Sequence, residues 1–255
     1  MQNEFGGKSA EKIITILASR NDYGENWISF KGKRSEDFGC IVQHFMNRSI
    51  PAERAKTEKV IGRAGNIYET EGENVYEAYD ETLTLITNDS ADIGTITAWL
   101  NGEGELILGD DPTSVYDVRI LKAVTFERVS RRHKNRLINV TLNVQPFHRR
   151  TDEQDILITR NNTRIFNAGD VQSYPILSVS PAVSGVASIT IDGKTLSVSC
   201  DGPFTVDCKE KAVINESGEI MSTVDGVFPV FPKGMSSITF TNINSIRMSP
   251  RTLWR

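Results

Sequence analysis

Few residues in this chain have the types and spacing that chemistry needs. Asp110 and Asp111 come first, because two adjacent carboxylates could chelate a hard divalent cation or share a proton. Calcium asks for about six to eight oxygen ligands, and no D-x-D-x-D-G loop surrounds this pair. Gly109-Asp110-Asp111-Pro112 is better read as a turn: Asp bonds its own backbone, Gly allows positive φ and Pro fixes φ. The histidines, His44, His133 and His148, are far apart, with neither H-x-x-x-H nor H-E-x-x-H spacing and no obvious pairing with a cysteine nucleophile. Gly62-x-x-Gly65 and Gly102-x-Gly104 lack the strand-to-helix setting of phosphate loops and read as turns. No acid–base pair or triad can be assembled, so a hydrolase has no support. The expectation is a protein that is not an enzyme and takes no metal or cofactor.

The three cysteines form no C-x-x-C, and their odd number points to a reducing compartment rather than a disulfide scaffold. Leu196, Val198 and Cys200 share one strand face, and Phe204, Val206 and Cys208 share the next. If those strands pair across Asp201-Gly202-Pro203, both thiols point inward as small apolar side chains. A bridge between them would need a favourable register. Two basic groups remain as candidate partner contacts: Arg131, Arg132 and Lys134 in the run Arg131–Lys134, and Arg251, Trp254 and Arg255 at the C-terminus. The first reads as solvated charge at a hairpin tip. The second reads as a terminal tail tied into a partner or back onto the first domain.

The elements that must position these groups are mostly strands. Trp27–Phe30 and Phe38–Val42 read as a strand pair around the Lys31-Gly32-Lys33 turn. Ala52–Lys59 has no apolar face and fits an exposed edge strand or loop as well as a helix. Gly62–Asn66 is a tight turn and Glu69–Asn74 an acidic loop. Thr82–Thr87 is a strand. Asn88-Asp89-Ser90 supplies a helix cap, after which Ile93, Ile96 and Leu100 fall at helical spacing beside Trp99. The unit Trp99–Arg128 organises the middle of the chain: the helix ends near Leu100, Glu105–Leu108 is a short strand, and Val115–Phe126 runs as a long one. Leu137–Val144 alternates as a strand, and Gln145–His148 closes the first half. Beyond Arg149 helix signals vanish. Ile189–Ile191 and Thr195–Val198 flank Asp192-Gly193, the strongest hairpin signal in the chain. Short strands at this spacing argue for a β-sandwich.

With 255 residues the chain can hold two modest domains, divided here as an arm (1–26), a first domain (27–148) and a second domain (149–255). Hydrophobic residues at 38% and charged residues at 24% indicate a folded globular chain. A formal charge of −4 argues against a nucleic-acid binder, and no apolar run approaches the ~18 residues that span a bilayer. The patch Ile13–Ala18 is too short, and too closely preceded by Glu4 and Glu11, for a signal peptide.

Taken in order, the motifs resemble the distal tail proteins of siphophages. Ile28-Ser29-Phe30-Lys31-Gly32 with Ser35-x-x-Phe38-Gly39 is similar to that family's opening, and Gly62-Arg63-x-Gly65 to its G-R-x-G turn. Trp99-Leu100 through Asp110-Asp111-Pro112 and Phe126-Glu127-Arg128 is similar to its mid-domain unit, and Gln145-Pro146-Phe147 to its domain junction. Asn167-x-Gly169, Tyr174-Pro175-Ile176, Phe228-Pro229-x-Phe231-x-x-Gly234 and Arg251-x-x-Trp254-Arg255 resemble its second domain. The arm 1–26 departs from the family pattern. The resemblance implies a mainly β protein with one short helix: a ring-forming N-terminal β-sandwich that stacks on the tail tube, followed by a galectin-like or carbohydrate-module-like β-sandwich. It implies a homohexameric baseplate hub at the virion tail tip, assembled in the host cytoplasm of a phage, prophage or tail-like particle. Its partners would be the tail tube, tape-measure and tail-tip (tail-associated) proteins, together with baseplate or receptor-binding proteins. DNA would pass through its lumen without sequence-specific binding, and no membrane would be involved. The alternative is a carbohydrate-binding module for host cell-wall glycans. The only Trp in the second domain is Trp254, which leaves that alternative without an obvious aromatic platform.

Overall fold

The structure is a computed structural model, which describes residues 24–72, 74–129 and 133–255. The arm expected over 1–26 therefore lies, up to residue 23, outside the described residues. The chain divides into two compact units, Met1–His148 and Arg149–Arg255.

The first unit is one eight-stranded sheet curled round its own core. Its strands are β1 (Ile28–Phe30), β2 (Lys33–Arg34), β3 (Cys40–His44), β6 (Tyr79–Thr87), β7 (Gly102–Leu108), β8 (Asp111–Ile120), β9 (Thr125–Arg128) and β10 (Arg136–Arg150). A separate two-stranded hairpin, β4 (Ala55–Glu58) and β5 (Ile67–Thr70), is inserted between β3 and β6. The sheet order is β2-β1-β7-β8-β10-β6-β3, with β9 also on β10. The Val42 N–H donates to the Asn26 carbonyl at 3.0 Å, so the last strand of that order reaches the residues leading into β1. Alternation puts Leu83, Leu85, Leu106, Leu108, Val140 and Leu142 inside this curl. Helix α1 (Ile93–Trp99) closes it, burying Ile96 and Trp99 while Ile93 stays exposed. The Trp99 indole N–H donates to the Phe30 carbonyl at 3.0 Å, and the Phe38 ring stacks on it at 4.4 Å between centroids. An indole buried this way keeps its polar edge satisfied while adding apolar area to the core.

Three expectations are corrected here. The strand pair expected between Trp27–Phe30 and Phe38–Val42 does not form. β1 pairs β2 and β7, and β3 pairs β6, because residues 35–38 make a 3-10 turn that re-aims the chain. The helix cap is Asp92, whose carboxylate accepts from the Gly94 and Thr95 N–H groups, whereas Asn88 turns onto Ser90. The strand expected over Val115–Phe126 breaks after Ile120: β8 runs along β7 to that point, and β9 then lies against the start of β10.

The second unit is a β-sandwich. One sheet has the order β11 (Ile156–Ile158), β20 (Ile243–Ser249), β13 (Ile176–Pro181), β16 (Phe204–Asp207), β17 (Ala212–Asn215). The other has the order β12 (Thr163–Asn167), β19 (Gly234–Thr241), β14 (Gly185–Ile191), β15 (Lys194–Cys200), β18 (Val224–Gly226). Leu177, Val206 and Ile246 of the first meet Ile189, Leu196 and Ile238 of the second in one core. Asp192 and Gly193, at φ 49° and 74°, make the two-residue turn of β14–β15, with Ile191 opposite Lys194. Asp201-Gly202-Pro203 is not a hairpin turn, because β15 and β16 lie in opposite sheets and the segment crosses between them. Cys200 and Cys208 are still both buried in the common core, and all three cysteines are free thiols.

Candidate functional site

The basic run sits where antiparallel pairing predicts, between β9 and β10, with Arg128 opposite Arg136. Arg131 and Arg132 lie outside the described residues. Lys134 is exposed, and its backbone N–H donates to the Asp89 carboxylate at 3.0 Å. His133 Nδ1 lies 3.9 Å from the same carboxylate. The tip is braced from behind: Asn135 donates to the Thr87 carbonyl at 2.7 Å, and the Arg136 N–H donates to Thr87 Oγ1 at 2.8 Å. Lys134 and His133 thus stand on a fixed base beside the Asp89 carboxylate.

The C-terminal group has a different role. Arg251 Nη1 bonds both oxygens of Asp207, at 3.1 and 3.2 Å. The Thr252 N–H reaches both oxygens of Glu153 at 3.1 Å. Asp170 takes the next residues: its N–H donates to the Leu253 carbonyl at 2.9 Å, and its carboxylate accepts from the Arg255 N–H at 3.0 Å. Ser173 Oγ donates to the Pro250 carbonyl at 2.7 Å. All these partners belong to the second unit. The tail expected to reach a partner or the first domain is stitched into its own sandwich, with Trp254 half-buried. Its partners, Glu153, Asp170 and Asp207, are far apart in the sequence, and no local pattern announces that they converge.

The Asp110-Asp111 turn holds a cation of its own, a guanidinium. Arg48 Nη2 lies 3.7 Å from Asp110 and 3.5 Å from Asp111. Burial would raise the Asp111 carboxyl, but hydrogen bonds from Ser114 and Thr113 and the charge of Arg48 outweigh it and hold it below the usual carboxylate range. The His148 ring lies against Tyr116, 5.3 Å between centroids. Among the described residues no group of three metal-ligating side chains comes together, and no helix is long and apolar enough to cross a membrane. An open polar cleft of about 490 Å³ in the second unit is lined by Glu153, Gln154, Asp155, Leu157 and Arg247.

The feature that no residue type in the sequence announced is the β4–β5 hairpin. Every residue of β4 is exposed. Its loop carries Ile61 at full exposure, and Tyr68 on β5 is 68% exposed. The signal was present in the sequence as a glycine-bounded turn between two stretches that lack an apolar face. A hairpin with no core of its own must find its packing elsewhere or stay solvated.

No protein-family model and no curated protein matches the sequence. Among solved structures, the SPP1 Dit (gp 19.1) protein, described as a paradigm of the hub adsorption apparatus in phages infecting Gram-positive bacteria, matches with a TM-score of 0.66. The match covers 87% of this chain and 97% of that one. This chain has the Dit fold. Neither unit alone is long enough to supply that coverage, so both take part in the likeness. At 16% identity what is shared is the backbone plan. The Gly62-Arg63-x-Gly65 motif, read in the sequence as the family's turn, caps the β4–β5 hairpin within this fold. Trp99–Pro112 becomes the last residue of α1, then β7 and the turn into β8.

Proposed function

We propose that this chain is the hub of a phage tail tip: a structural protein without chemistry of its own, which closes six copies into a ring. The observation that carries this reading is the Dit fold across both units, since the SPP1 protein is a hub of an adsorption apparatus. In this reading the first unit makes the ring and meets the tail tube on one side and the tape-measure and tail-tip proteins on the other. The second unit, a galectin-like sandwich, points outward and carries baseplate or receptor-binding proteins. Residues 251–255 are held against that sandwich by Asp207, Glu153 and Asp170. The particle is a phage, prophage or tail-like assembly, and the protein resides at its tail tip. The ring is heterologous, each copy offering one surface and receiving another, so the contacts close by rotation. Negative-stain electron microscopy of the purified chain tests this. Closed rings with six-fold symmetry and a central opening are expected; two-fold dimers or chains without closure would contradict the reading.

A further inference from the structure

The β4–β5 hairpin segregates its charge by arm, although β4 itself carries both Lys56 and Glu58. From Arg54 to Arg63 the outgoing arm holds four basic residues and one acidic one. From Asn66 to Tyr79 the returning arm holds four glutamates and no Lys or Arg. The two arms pair antiparallel, with Lys56 opposite Glu69, and Arg54 sits 3.8 Å from Glu71. The ladder extends toward the base through Glu53 and Tyr76. β4 and β5 form a sheet of two strands, so among the described residues each has an outer edge with no strand beside it. Such edges are templates for pairing with another chain.

We infer that the hairpin is the head-to-tail contact between copies of this chain, with the β4 edge of one copy's basic outgoing arm adding to the β5 edge of the next copy's acidic returning arm. The inference rests on the ring reading and names the surface that makes it. Charge decides the geometry. A two-fold contact would set two outgoing arms of net charge +3 (four basic, one acidic) against each other, or two returning arms of −4, and like charges brought together destabilise strand pairing. Pairing β4 to a neighbour's β5 sets the net-positive outgoing arm beside the net-negative returning arm and continues the antiparallel order. That contact joins two different surfaces, so it propagates, and it closes when rotation allows. It also brings the exposed Ile61 and Tyr68 next to a neighbouring subunit.

The test uses three full-length variants. One reverses β4 (Lys56→Glu with Lys59→Glu), one reverses β5 (Glu69→Lys with Glu71→Lys), and one carries all four changes. All four side chains are exposed, and the four-fold swap keeps opposite charges across the 56–69 pair, so circular dichroism of that variant should match the wild type. Sedimentation should show each single-arm variant associating at least tenfold more weakly than the wild type. An equimolar mixture of the two, and the four-fold swap alone, should both recover wild-type assembly. Raising salt from 50 mM to 1 M should weaken wild-type association as well. A wild-type oligomer whose mass is untouched by either reversal would overturn the hairpin contact and leave the ring standing. A wild-type chain that never associates would overturn both.

Discussion

Burial sets the chemistry of the thiols. Cys40 and Cys208 lie in separate apolar cores, and removal from water pushes each up from an ordinary 9.0 to about 12. The folded chain should therefore show almost no reaction with a thiol reagent at pH 8, and all three thiols should react after unfolding. The sign with pH follows. Between about 9 and 12 the unfolded state releases thiol protons that the folded state keeps, so stability falls as pH rises through that window. Thermal melts at pH 8 and pH 10.5 check this: a higher melting temperature at pH 10.5 would contradict it. Asn167, only 1% exposed, does comparable structural work. It donates to the Val171 and Phe231 carbonyls and accepts from the Gly169 N–H, pinning the 167–173 loop to the second core. Asn167→Ala should cost about 3 kcal/mol in urea unfolding, because buried partners are left unpaired. The inward-facing thiols of the second unit were expected from a hairpin that does not form, yet alternation still put both on core-facing positions at the ends of strands in opposite sheets. The loop-pinning role of Asn167 was not, because it depends on a carbonyl at Phe231, far along the chain.

Elements were legible where their cause is local. The Asp192-Gly193 turn needs only two adjacent residues able to take positive φ, and its hairpin formed where expected. The cap of α1 was misplaced because Asn88, Asp89, Ser90 and Asp92 are all good capping residues. Only the carboxylate that reaches the Gly94 and Thr95 N–H groups decides among them. Pairing partners were the least legible, since β1 finds β7 across the whole β3–α1 stretch, and nothing near Ile28 encodes that choice. One residue records the long-range fit. A Cβ on Gly109 would stand 2.1 Å from the Glu25 carbonyl oxygen and 2.8 Å from that of Trp27. Gly109→Ala must therefore displace the entry to β1, at a cost of about 1–3 kcal/mol. Chemical denaturation of the first unit measures it, and an unchanged midpoint would mean that residues 25–27 do not cross that turn.

For the molecule as a whole, the sequence carried the plan further than its individual sites. Texture alone separated a mixed first half from an all-β second half, and motifs in series pointed to a tail-tip fold that the backbone match bears out. The candidate contact residues were harder to judge. Arg251 was expected to tie the tail to a partner or to the first domain, but it meets Asp207 of its own unit, and the β4–β5 hairpin looked like an unremarkable polar segment until pairing set its basic arm beside its acidic one. Surfaces that bind other subunits carry no catalytic geometry, so residue types mark them weakly. Their mark is an edge or an apolar side chain left uncovered in the single chain. The central claim, that copies of this chain close into a six-membered ring, is tested most directly by native mass from light scattering across a concentration series. One copy weighs 28.4 kDa, so the account predicts a species near 170 kDa that persists on dilution. A mass of one copy at every concentration, or a two-fold dimer, would contradict it.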